Sequence, residues 1–364
     1  MRLSLSQRRS AVGLLSSLLA LAIGIAAGLL LLASSGVSVG DAVQALYEGA
    51  FGSWGQTAAT LARAVPLAGV ALAWMVAARG GLFNVGLDGQ IVIGGIAAAA
   101  VALLIGLPSG VHLLAATVAG VIGGLAWAGI ATLLRTTRGV NEIISTLMLN
   151  FVALQLLSWA VRGPLQGSQG LPQTDSIPTS AAWPSLEARA GLNWEIVLIV
   201  VLAVAVAVLL GRTAFGFRLR FTAANERAAR AGGIRTTRVG ALAMLISGGI
   251  GGLVGAGLIL GGQSKVMTDG FNGTYGYDGI AVALIARTSV PAALLAAILF
   301  AALRQGGDLL EATTGAPAAL IEVMQGLIIV LVAASTLLTD RMAARRVDAP
   351  DPAPRSTAPS VQEA

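Results

Sequence analysis

Polar side chains that could bind a solute or an ion recur at three places in a strongly apolar chain. A polar group inside or beside a membrane-spanning segment is costly to bury in lipid, so such positions are candidates for function. The first group comprises Asn84, Asp88 and Gln90; the second comprises Asn141, Glu142, Ser145, Thr146 and Asn150; the third comprises Asp269, Asn272, Tyr275, Tyr277 and Asp278. The tyrosines and acids of the third group could meet a polar ring or a sugar.

Each group also has a structural interpretation. Asp88 could cap the helix that follows it through its carboxylate. Asn141 and Glu142 could mark the start of a helix, where acids are favoured. Asn150 lies too far inside its apolar run to be a cap, so it either holds helices together or lines a pathway. The second group would then form a polar stripe along one helix face.

Residues 212–238 form a basic segment between two apolar runs, with seven arginines and one acid, Glu226. Glu226 and Arg230 can pair at i, i+4, and Gly232 with Gly233 supplies a helix stop. One face of the predicted short helix is small and smooth, formed by Ala224, Ala228 and Ala231. Because a helix this short is marginal alone in water, we expect it to dock onto a partner.

The composition predicts the elements that hold these residues. Hydrophobic residues make up 56% of the 364 residues, and the mean hydropathy is +0.83, well above that of soluble domains. The apolar runs lack barrel-like alternation, so the spanning elements should be helices. The predicted fold is an all-α polytopic membrane protein with about ten hydrophobic segments. Eight candidate full spans are 11–33, 57–78, 84–106, 111–134, 140–161, 194–211, 239–262 and 317–338.

A ninth apolar stretch, 279–303, is interrupted at Pro291. Proline lacks a backbone N–H and restricts the residue before it, which predicts two short segments, 279–287 and 291–303. Short loops rich in arginine are retained in the cytoplasm, which places both termini and residues 212–238 there. The number of crossings is then even: ten if both short segments cross, or eight if they form a re-entrant hairpin.

This topology divides the chain into a cytoplasmic N-terminal segment, 1–10, a membrane domain, 11–338, and a tail, 339–364. The tail is rich in Pro, Ala, Ser and Asp, so we expect it to be disordered and cytoplasmic. Residues 162–193, with several prolines, would form the largest external loop.

Two segments share the pattern Gly-x-Asp-Gly at the start of an apolar run, at 86–89 and at 276–279. In the predicted topology they follow spans that run in opposite directions. This arrangement is typical of inverted repeats, whose broken helices line a central pathway. In a chain with 47 glycines the match is either a duplication or a coincidence.

Several classes of protein are excluded by missing residues. The chain has no cysteine, which excludes disulfides and thiolate chemistry. It contains no P-loop, no H-E-x-x-H and no G-x-S-x-G motif, so we expect no catalytic residue, no metal and no cofactor on this chain. The net charge of +6 comes from arginines at the ends of apolar runs, which argues against a nucleic-acid partner.

Four motifs occur in the same order as in a known family: RGGLFNVGLDGQ at 79–90, RGVNEIISTLMLN at 138–150, FRLRFTAANERAARAGGI at 217–234 and YGYDGIAVAL at 275–284. The chain resembles bacterial ABC importer permeases of the branch that serves nucleosides, riboflavin or simple sugars. This branch lies within the wider ribose and branched-chain amino acid permease group. The resemblance covers roughly residues 57–338.

The resemblance implies a subunit of the bacterial inner membrane that forms a solute pathway with a second, related permease. An ATPase subunit that binds ATP and Mg would lie below it, and an extracytoplasmic solute-binding protein above it. The resemblance also implies that a coupling element contacts the ATPase through Asn225, Ala228, Ala229, Gly232 and Ile234. The family's usual glycine and proline are replaced here by Ala224 and Arg227.

The solute favoured by this resemblance is a nucleoside, with a sugar or riboflavin as alternatives. The expected pathway residues are Asn84, Asp88, Gln90, Glu142, Ser145, Thr146, Asn150, Tyr275, Tyr277 and Asp278. A rival from another class is an ion-coupled secondary transporter, because inverted repeats with broken helices suit that class too. Its ion or proton site would use Asp88, Glu142 or Asp278.

Overall fold

A computed structural model describes residues 5–262, 265–287, 289–317 and 319–347 of the chain. In this part the chain is almost entirely helical, with one small two-stranded sheet in a loop. The helices are α1 Leu5–Ser34, α2 Val39–Phe51, α3 Trp54–Ala78, α4 Leu87–Leu104, α5 Val111–Arg138, α6 Glu142–Arg162, α7 Glu195–Arg212, α8 Ala214–Ala224, α9 Glu226–Ala231, α10 Thr236–Gly261, α11 Tyr275–Ile285, α12 Val290–Thr314 and α13 Ala319–Val347, and the strands are β1 Ser185–Glu187 and β2 Leu192–Asn193.

The helix ends follow local sequence. Ser53 caps α3, because its hydroxyl accepts a hydrogen bond from the backbone N–H of Gln56 (3.2 Å). Gly139 and Gly315 follow α5 and α12 with φ of 66° and 71°. Glycine adopts this left-handed conformation without steric cost and so ends a helix readily.

Seven of the described helices are long and apolar enough to cross a membrane: α3, α4, α5, α6, α7, α10 and α12. The second part of α1 and the whole of α2 form an apolar pair bent by 118°. Two shorter apolar helices are α11 and the segment 319–332 of α13. The predicted all-α polytopic membrane fold, with about ten apolar segments, is therefore confirmed.

Glycines bring α4, α5 and α10 into close contact. A methyl group on Gly94 of α4 would overlap the backbone of Gly252 in α10, and one on Gly124 of α5 would overlap that of Gly248. Without side chains at these positions the helix backbones approach closely, which is the usual way that membrane helices gain packing energy. This three-helix unit supports the loop that precedes α4.

The helix pair formed by α3 and α10 is antiparallel, since Gly69 lies against Val254 and Gly80 against Ala243. α4 begins with the first Gly-x-Asp-Gly segment, and it packs against α10. The helix that opens with the second, α11, packs against α3, where Gly279 meets Val70. The two segments thus begin helices that pack on opposite members of one antiparallel pair. The inverted repeat itself stays a prediction.

The break before Pro291 is confirmed, but the short second segment predicted at 291–303 is wrong. α12 runs from Val290 to Thr314 over 25 residues. Proline is accommodated in the first turn, where an N–H has no partner in the helix anyway. Arg304, one of the polar residues further along α12, forms an ion pair with Asp278 (3.0 Å).

Two further helical regions lie outside the predicted spans. α2 follows the turn after α1 and packs on α12, where Gly49 lies against Gly306. At the other end, α13 continues to Val347, into the tail for which composition predicts disorder. Residues 340–346 are rich in Arg, Ala and Met, which are good helix formers. Residues 348–364 lie outside the described part of the chain.

The loop between α6 and α7 matches the predicted external loop in position. It contains the β1–β2 hairpin and is fixed to the segment after α10, where Thr174 N donates to Met267 O (3.0 Å) and Ile177 N donates to Lys265 O (2.7 Å). The two loops therefore cover the same end of the helix bundle. We call this end the outer end, because the arginine-rich loops lie at the opposite one.

Candidate functional site

Asn84 is the centre of a buried hydrogen-bond network in the loop between α3 and α4. Its Nδ2 donates to Ser247 Oγ (2.9 Å) and to Gln90 Oε1 (3.0 Å). Its Oδ1 accepts from Gly86 N (3.0 Å) and Gln90 Nε2 (3.2 Å). Asn84, Gln90 and Ser247 are at most 1% exposed. The network therefore fixes the loop to α10. Both the oxygen and the nitrogen of the Asn84 amide are hydrogen-bonded to other groups of the chain.

Asn150 joins three further elements from its position inside α6. Its Oδ1 accepts from Gly89 N of α4 (2.9 Å), and its Nδ2 donates to Val85 O (2.9 Å) and to Tyr277 Oη of α11 (3.2 Å). A side chain on Gly89 would crowd the Asn150 amide. Of the two interpretations of Asn150, this geometry favours the one in which it holds helices together.

Asp88 connects the beginnings of α4 and α11. Its Oδ1 accepts from Asn272 Nδ2 (2.9 Å), and a methyl group on Gly276 would overlap Asp88. No side chain caps α4, whose N-cap is Gly86, so the interpretation of Asp88 as a helix cap is wrong. The Asn272 Oδ1 atom is buried and has no hydrogen-bond partner among the described residues.

Asn141 and Glu142 lie at the turn between α5 and α6, away from this network. Asn141 caps α6 by accepting from Ile143 N (2.8 Å), so the helix-start interpretation is confirmed. Glu142 accepts from Arg135 Nε (3.2 Å). This acid lies at the arginine-rich end of the bundle, and no hydrogen bond joins it to Asn84 or Asn150 among the described residues.

Ser145 and Thr146 are buried and bond to their own helix, both donating to the carbonyl oxygen of Glu142 (3.3 and 2.6 Å). Of the second group, only Asn150 reaches the central network. The structure therefore does not form the continuous polar stripe that the spacing along α6 predicts.

The third group is divided. Tyr277 reaches the central network through Asn150, while Asp278 accepts from Thr274 Oγ1 (2.6 Å) and Arg304 Nη1 (3.0 Å). The Arg304 guanidinium also lies over the Tyr275 ring, 5.9 Å from its centroid, a cation–π contact.

The central polar cluster is thus formed by Asn84, Asp88, Gln90, Asn150, Ser247, Asn272 and Tyr277. Ser247 lies in the middle of the glycine-rich α10, and its serine hydroxyl inside an apolar run is the signal that could have revealed it. Asp269 lies apart, in an ion pair with Arg162 (2.6 Å) at the outer end of α6.

A cavity of about 560 Å³ opens near the outer ends of α3, α7 and α10 and the beginning of α11. Its volume is typical of a small-molecule site. Its polar lining includes Gln56, Arg63, Asn193, Glu195, Tyr275 and Gln305. Of these, only Tyr275 is among the sequence-predicted residues. Glu195 and Gln305 could have been found as polar residues at the start of one apolar run and inside another.

The predicted coupling segment is two helices, α8 and α9, and not one. The chain breaks at Asn225, where φ is −159° and ψ is 102°, and the Asn225 side chain caps α9 by accepting from Ala228 N (3.0 Å). The continuous face predicted from Ala224 to Ala231 is therefore wrong, because the interruption removes the helical register. Asparagine favours such caps, since its side chain replaces the missing helical acceptor.

Two local predictions for α9 are confirmed. Glu226 Oε1 accepts from Arg230 Nη2 at 2.6 Å, and α9 ends at the residue before Gly232. Hydrogen bonds from Arg230 and Thr236 hold the pKa of the Glu226 carboxyl below its usual value.

The five expected coupling residues do not share one surface. Asn225, Ala228 and Gly232 are exposed. Ala229 is fully buried at 0% exposure, and Ile234 is half-buried and packs against the hydrophobic core. The surface available to a partner is therefore narrower than the resemblance implies.

A cleft of about 670 Å³ separates α8 and α9 from the rest of the arginine-rich end of the bundle. It is lined by the α3–α4 loop at Gly81, by Arg135 and Glu142 of the α5–α6 turn, and by Glu226 and Arg230 of α9. Charged groups of both signs thus face each other across the cleft.

A family model described as the permease component of a branched-chain amino acid transport system matches residues 56–333. The chain belongs to this family. The match runs from α3 into α13 and includes the central polar cluster, the outer cavity and the α8–α9 segment. It agrees with the range of 57–338 over which the four motifs resemble such permeases.

Three relatives are similar over most of this permease. The glucose ABC transporter permease of Haloferax volcanii is 33% identical over 286 residues, 76% of this chain and 75% of the relative. The guanosine ABC transporter permease of Bacillus subtilis is 32% identical over 329 residues, 88% and 93% of the two chains. The nucleoside ABC transporter permease of Lactococcus lactis is 27% identical over 331 residues, 88% and 91%. No solved structure matches the chain significantly.

These similarities confirm the branch that the motifs indicate. The protein is a multi-pass membrane permease subunit of an ABC transporter.

Proposed function

We propose that this permease forms the membrane pathway of a bacterial importer for a nucleoside. The observation that supports this solute is the similarity to two permeases named for guanosine and nucleosides, which extends over 93% and 91% of their lengths. We place the protein in the cytoplasmic (inner) membrane with both termini in the cytoplasm, because its arginine-rich loops lie at one end of the bundle.

ATP hydrolysis is assigned to a separate ATPase chain, which would carry ATP and Mg. A second permease subunit would complete the pathway, and an extracytoplasmic solute-binding protein would deliver the nucleoside. No cofactor is assigned to this chain. The exposed part of α9 supports the first of these partners, since Asn225, Ala228 and Gly232 together offer a small, accessible surface.

The cytoplasmic cleft suggests how ATPase movement would reach the membrane helices. α9 faces the α5–α6 turn across the cleft, through Glu226 on one side and Arg135 on the other. Movement of α9 would change this facing pair and displace the turn that begins α6. Asn150 of α6 holds α4 and α11, so the displacement would reach the central polar cluster.

Within this proposal the predicted pathway residues have two roles. Asn84, Asp88, Gln90 and Asn150 hold helices together, and the rearrangement acts through them. Tyr277 has 44% of its surface exposed on the outside of the chain and can meet solute or a second permease subunit. The other residues that we propose for the pathway are Glu142, Ser145, Thr146, Tyr275 and Asp278.

A sugar is the second candidate solute. The glucose permease of Haloferax volcanii is 33% identical to this chain, slightly more than the guanosine permease, although over a smaller share of both chains. The polar amides and tyrosines described above suit a sugar as well as a nucleoside.

Uptake measurements distinguish the two solutes. The complete importer, expressed in cells that lack nucleoside and glucose uptake, should accumulate labelled guanosine, and excess unlabelled glucose should not compete. Uptake should require an intact P-loop lysine in the ATPase chain and should survive collapse of ion gradients. Accumulation of glucose but not guanosine would contradict the proposed solute. ATP-independent uptake driven by an ion gradient would contradict the ABC mechanism.

The docking surface is tested by two neighbouring substitutions. Ala228→Glu adds a charge to the exposed face of α9 and should abolish ATP-driven uptake while the permease remains folded. Ala228→Ser, a small polar change at the same position, is the matched control and should retain uptake. Co-purification of the ATPase with each variant shows whether a loss of uptake comes from loss of ATPase binding or from damage to the solute pathway. Normal uptake with Ala228→Glu would exclude this face as the contact.

A further inference from the structure

Glu195 is a buried acid that the transport mechanism above does not use. It is the first residue of α7, lines the outer cavity, and is 6% exposed. Its backbone N donates to Asn193 Oδ1 (2.8 Å). Among the described residues, no basic side chain lies within ion-pairing distance of its carboxylate, and no described donor is hydrogen-bonded to it. A buried carboxyl group without hydrogen-bond partners is costly whether it is ionised or neutral, so a reason for its presence is required.

Glycines of α10 provide the space for this carboxylate. A methyl group on Gly257 would overlap the Glu195 carboxylate, and one on Gly261 would overlap the Asn193 amide. The Asn193 amide is itself fixed, because its Nδ2 donates to Gly261 O (3.0 Å). The carboxylate is therefore held against a smooth helix surface at the cavity wall.

A second acceptor without a partner reaches the same cavity from α12. Gln305 Nε2 donates to Gln56 Oε1 (2.9 Å), which fixes the orientation of the Gln305 amide. Its Oε1 atom is buried and has no hydrogen-bond partner among the described residues. Tyr275, half-buried and beneath Arg304, adds an aromatic wall. The wall of the cavity thus contains the carboxyl group of Glu195 and the buried amide oxygen of Gln305, which lack donors among the described residues, beside an aromatic ring.

Adjacent hydroxyl groups on a sugar ring supply these donors. A carboxylate can accept two hydrogen bonds from a pair of neighbouring hydroxyls, as acidic residues do with the ribose of bound dinucleotides. The apolar face of a sugar or a base can also pack on an aromatic ring. Cationic ligands fit less well, because Arg189 lines the same cavity; Arg63 lines it too, but its charge is paired with Asp308 (2.6 Å).

We propose that the outer cavity is an entry site for a hydroxylated sugar ring, held by the Glu195 carboxylate through neighbouring hydroxyls and by Gln305 Oε1. The site rests on the proposed function, since it takes the transported solute as it enters from the outer side. The ring would be the ribose of a nucleoside or a free sugar such as glucose. Ribose and glucose both carry neighbouring hydroxyls, and uptake measurements with each solute distinguish between them.

The test compares solutes that differ only in their hydroxyls, in the complete reconstituted importer. Guanosine, 2′,3′-dideoxyguanosine and glucose are supplied separately to wild type, Glu195→Gln and Gly257→Ala. Wild type should prefer guanosine to the dideoxy compound by roughly tenfold, the size expected when two hydrogen bonds are lost. Both variants should reduce this ratio towards one. Glu187→Gln, the same change in the external hairpin and outside the cavity, should leave it unchanged.

The ratio of guanosine uptake to dideoxyguanosine uptake distinguishes a solute-binding role of Glu195 from a structural one. A carboxylate at the start of α7 also interacts favourably with the helix dipole. If that were its whole role, Glu195→Gln would lower uptake of all solutes alike and leave the ratio at its wild-type value, which would overturn the proposal. Wild type that carried guanosine and dideoxyguanosine equally would overturn the entry site and leave nucleoside transport standing.

Glucose uptake tests the sugar-ring site independently of whether the transported solute is a nucleoside. Uptake of glucose but not guanosine, reduced about tenfold in Glu195→Gln, would support the sugar-ring site and contradict the proposed nucleoside substrate. Measurable glucose uptake that is equal in wild type and both variants would overturn the site, whereas no glucose uptake in any of the three is the result expected of a nucleoside importer.

Discussion

The central polar cluster and the outer cavity both contain buried polar side chains. The two regions differ in how many of these side chains have hydrogen-bond partners within the chain. In the central polar cluster, the Asn84 and Asn150 amides use their oxygen and nitrogen atoms in bonds within the chain. In the outer cavity, Gln305 Oε1 has no partner among the described residues, and no described donor reaches the Glu195 carboxylate. The Asn84 and Asn150 amides are satisfied within the chain, and in their cluster Asn272 Oδ1 is a buried acceptor without a described partner. In the outer cavity it is the acceptors of Glu195 and Gln305 that need a ligand.

This difference changes how a polar residue in a membrane span should be interpreted. Such residues are candidates for solute contact because burial in lipid is costly. Bonds to neighbouring helices remove that cost equally well. Asn84 and Asn150 stand out most in the sequence, yet they serve the packing of α4, α6, α10 and α11. Polar atoms without a partner are the better indicators of a binding site.

The largest effect is expected for Asn150→Ala. This substitution leaves Gly89 N–H and Val85 C=O buried without partners, at a cost of roughly 2 kcal/mol or more, since each unsatisfied group costs about 1–3 kcal/mol. The free energy of unfolding can be measured by SDS titration of the purified permease. Gln155→Ala, at an exposed amide of the same helix, should change it by less than about 0.5 kcal/mol. Equal effects of the two substitutions would mean that the Asn150 bonds do not hold the helices.

An intermediate effect is expected for the contact between Asn84 and Ser247. Asn84→Ala, Ser247→Ala and the double variant form a cycle that isolates this 2.9 Å hydrogen bond. We expect a coupling energy of about 0.6–1.7 kcal/mol, the range found for side-chain hydrogen bonds between membrane helices. Strict additivity of the two single effects would show that the loop is held to α10 by other contacts.

The smallest effect on stability is expected in the outer cavity. Gln305→Leu removes one hydrogen bond, to Gln56, and also removes an oxygen that has no described partner. The free energy of unfolding should therefore fall by less than about 1 kcal/mol, although uptake of a hydroxylated solute should fall. A loss of stability as large as that of Asn150→Ala would place Gln305 with the structural residues and remove the contrast between the two regions.

Local patterns in the sequence predicted a large part of this structure. Apolar runs located the spans, the restriction at Pro291 located the break after α11, and Asn141 was recognisable as a helix cap. Glu226 and Arg230 pair as their spacing predicts. In each case the determining residues lie within a few positions of one another, so the chain itself fixes their separation.

One of the failures, the burial of Ala229, comes from packing between distant parts of the chain, whereas the break at Asn225 is a local cap that the alanine spacing concealed. α12 continues past the predicted end at residue 303, and its next residue, Arg304, pairs with Asp278 of α11. Ala229 is at a good position for a partner contact in the sequence, but packing within the chain buries it completely. The single helix expected across Asn225 is interrupted because that side chain caps α9.

The sequence by itself determined that this protein is a helical membrane protein, where most of its apolar segments lie, and which family it resembles. Hydropathy, charge and motif order are properties of the chain and need no folding to be read. Only the tertiary structure decided which polar residues are bonded to each other and which face a cavity. Asn84 and Ser247 are 163 positions apart, and Glu195 and Gln305 meet one cavity from different helices. Such partners are chosen by helix packing, which glycines at the α4, α5 and α10 contacts make possible.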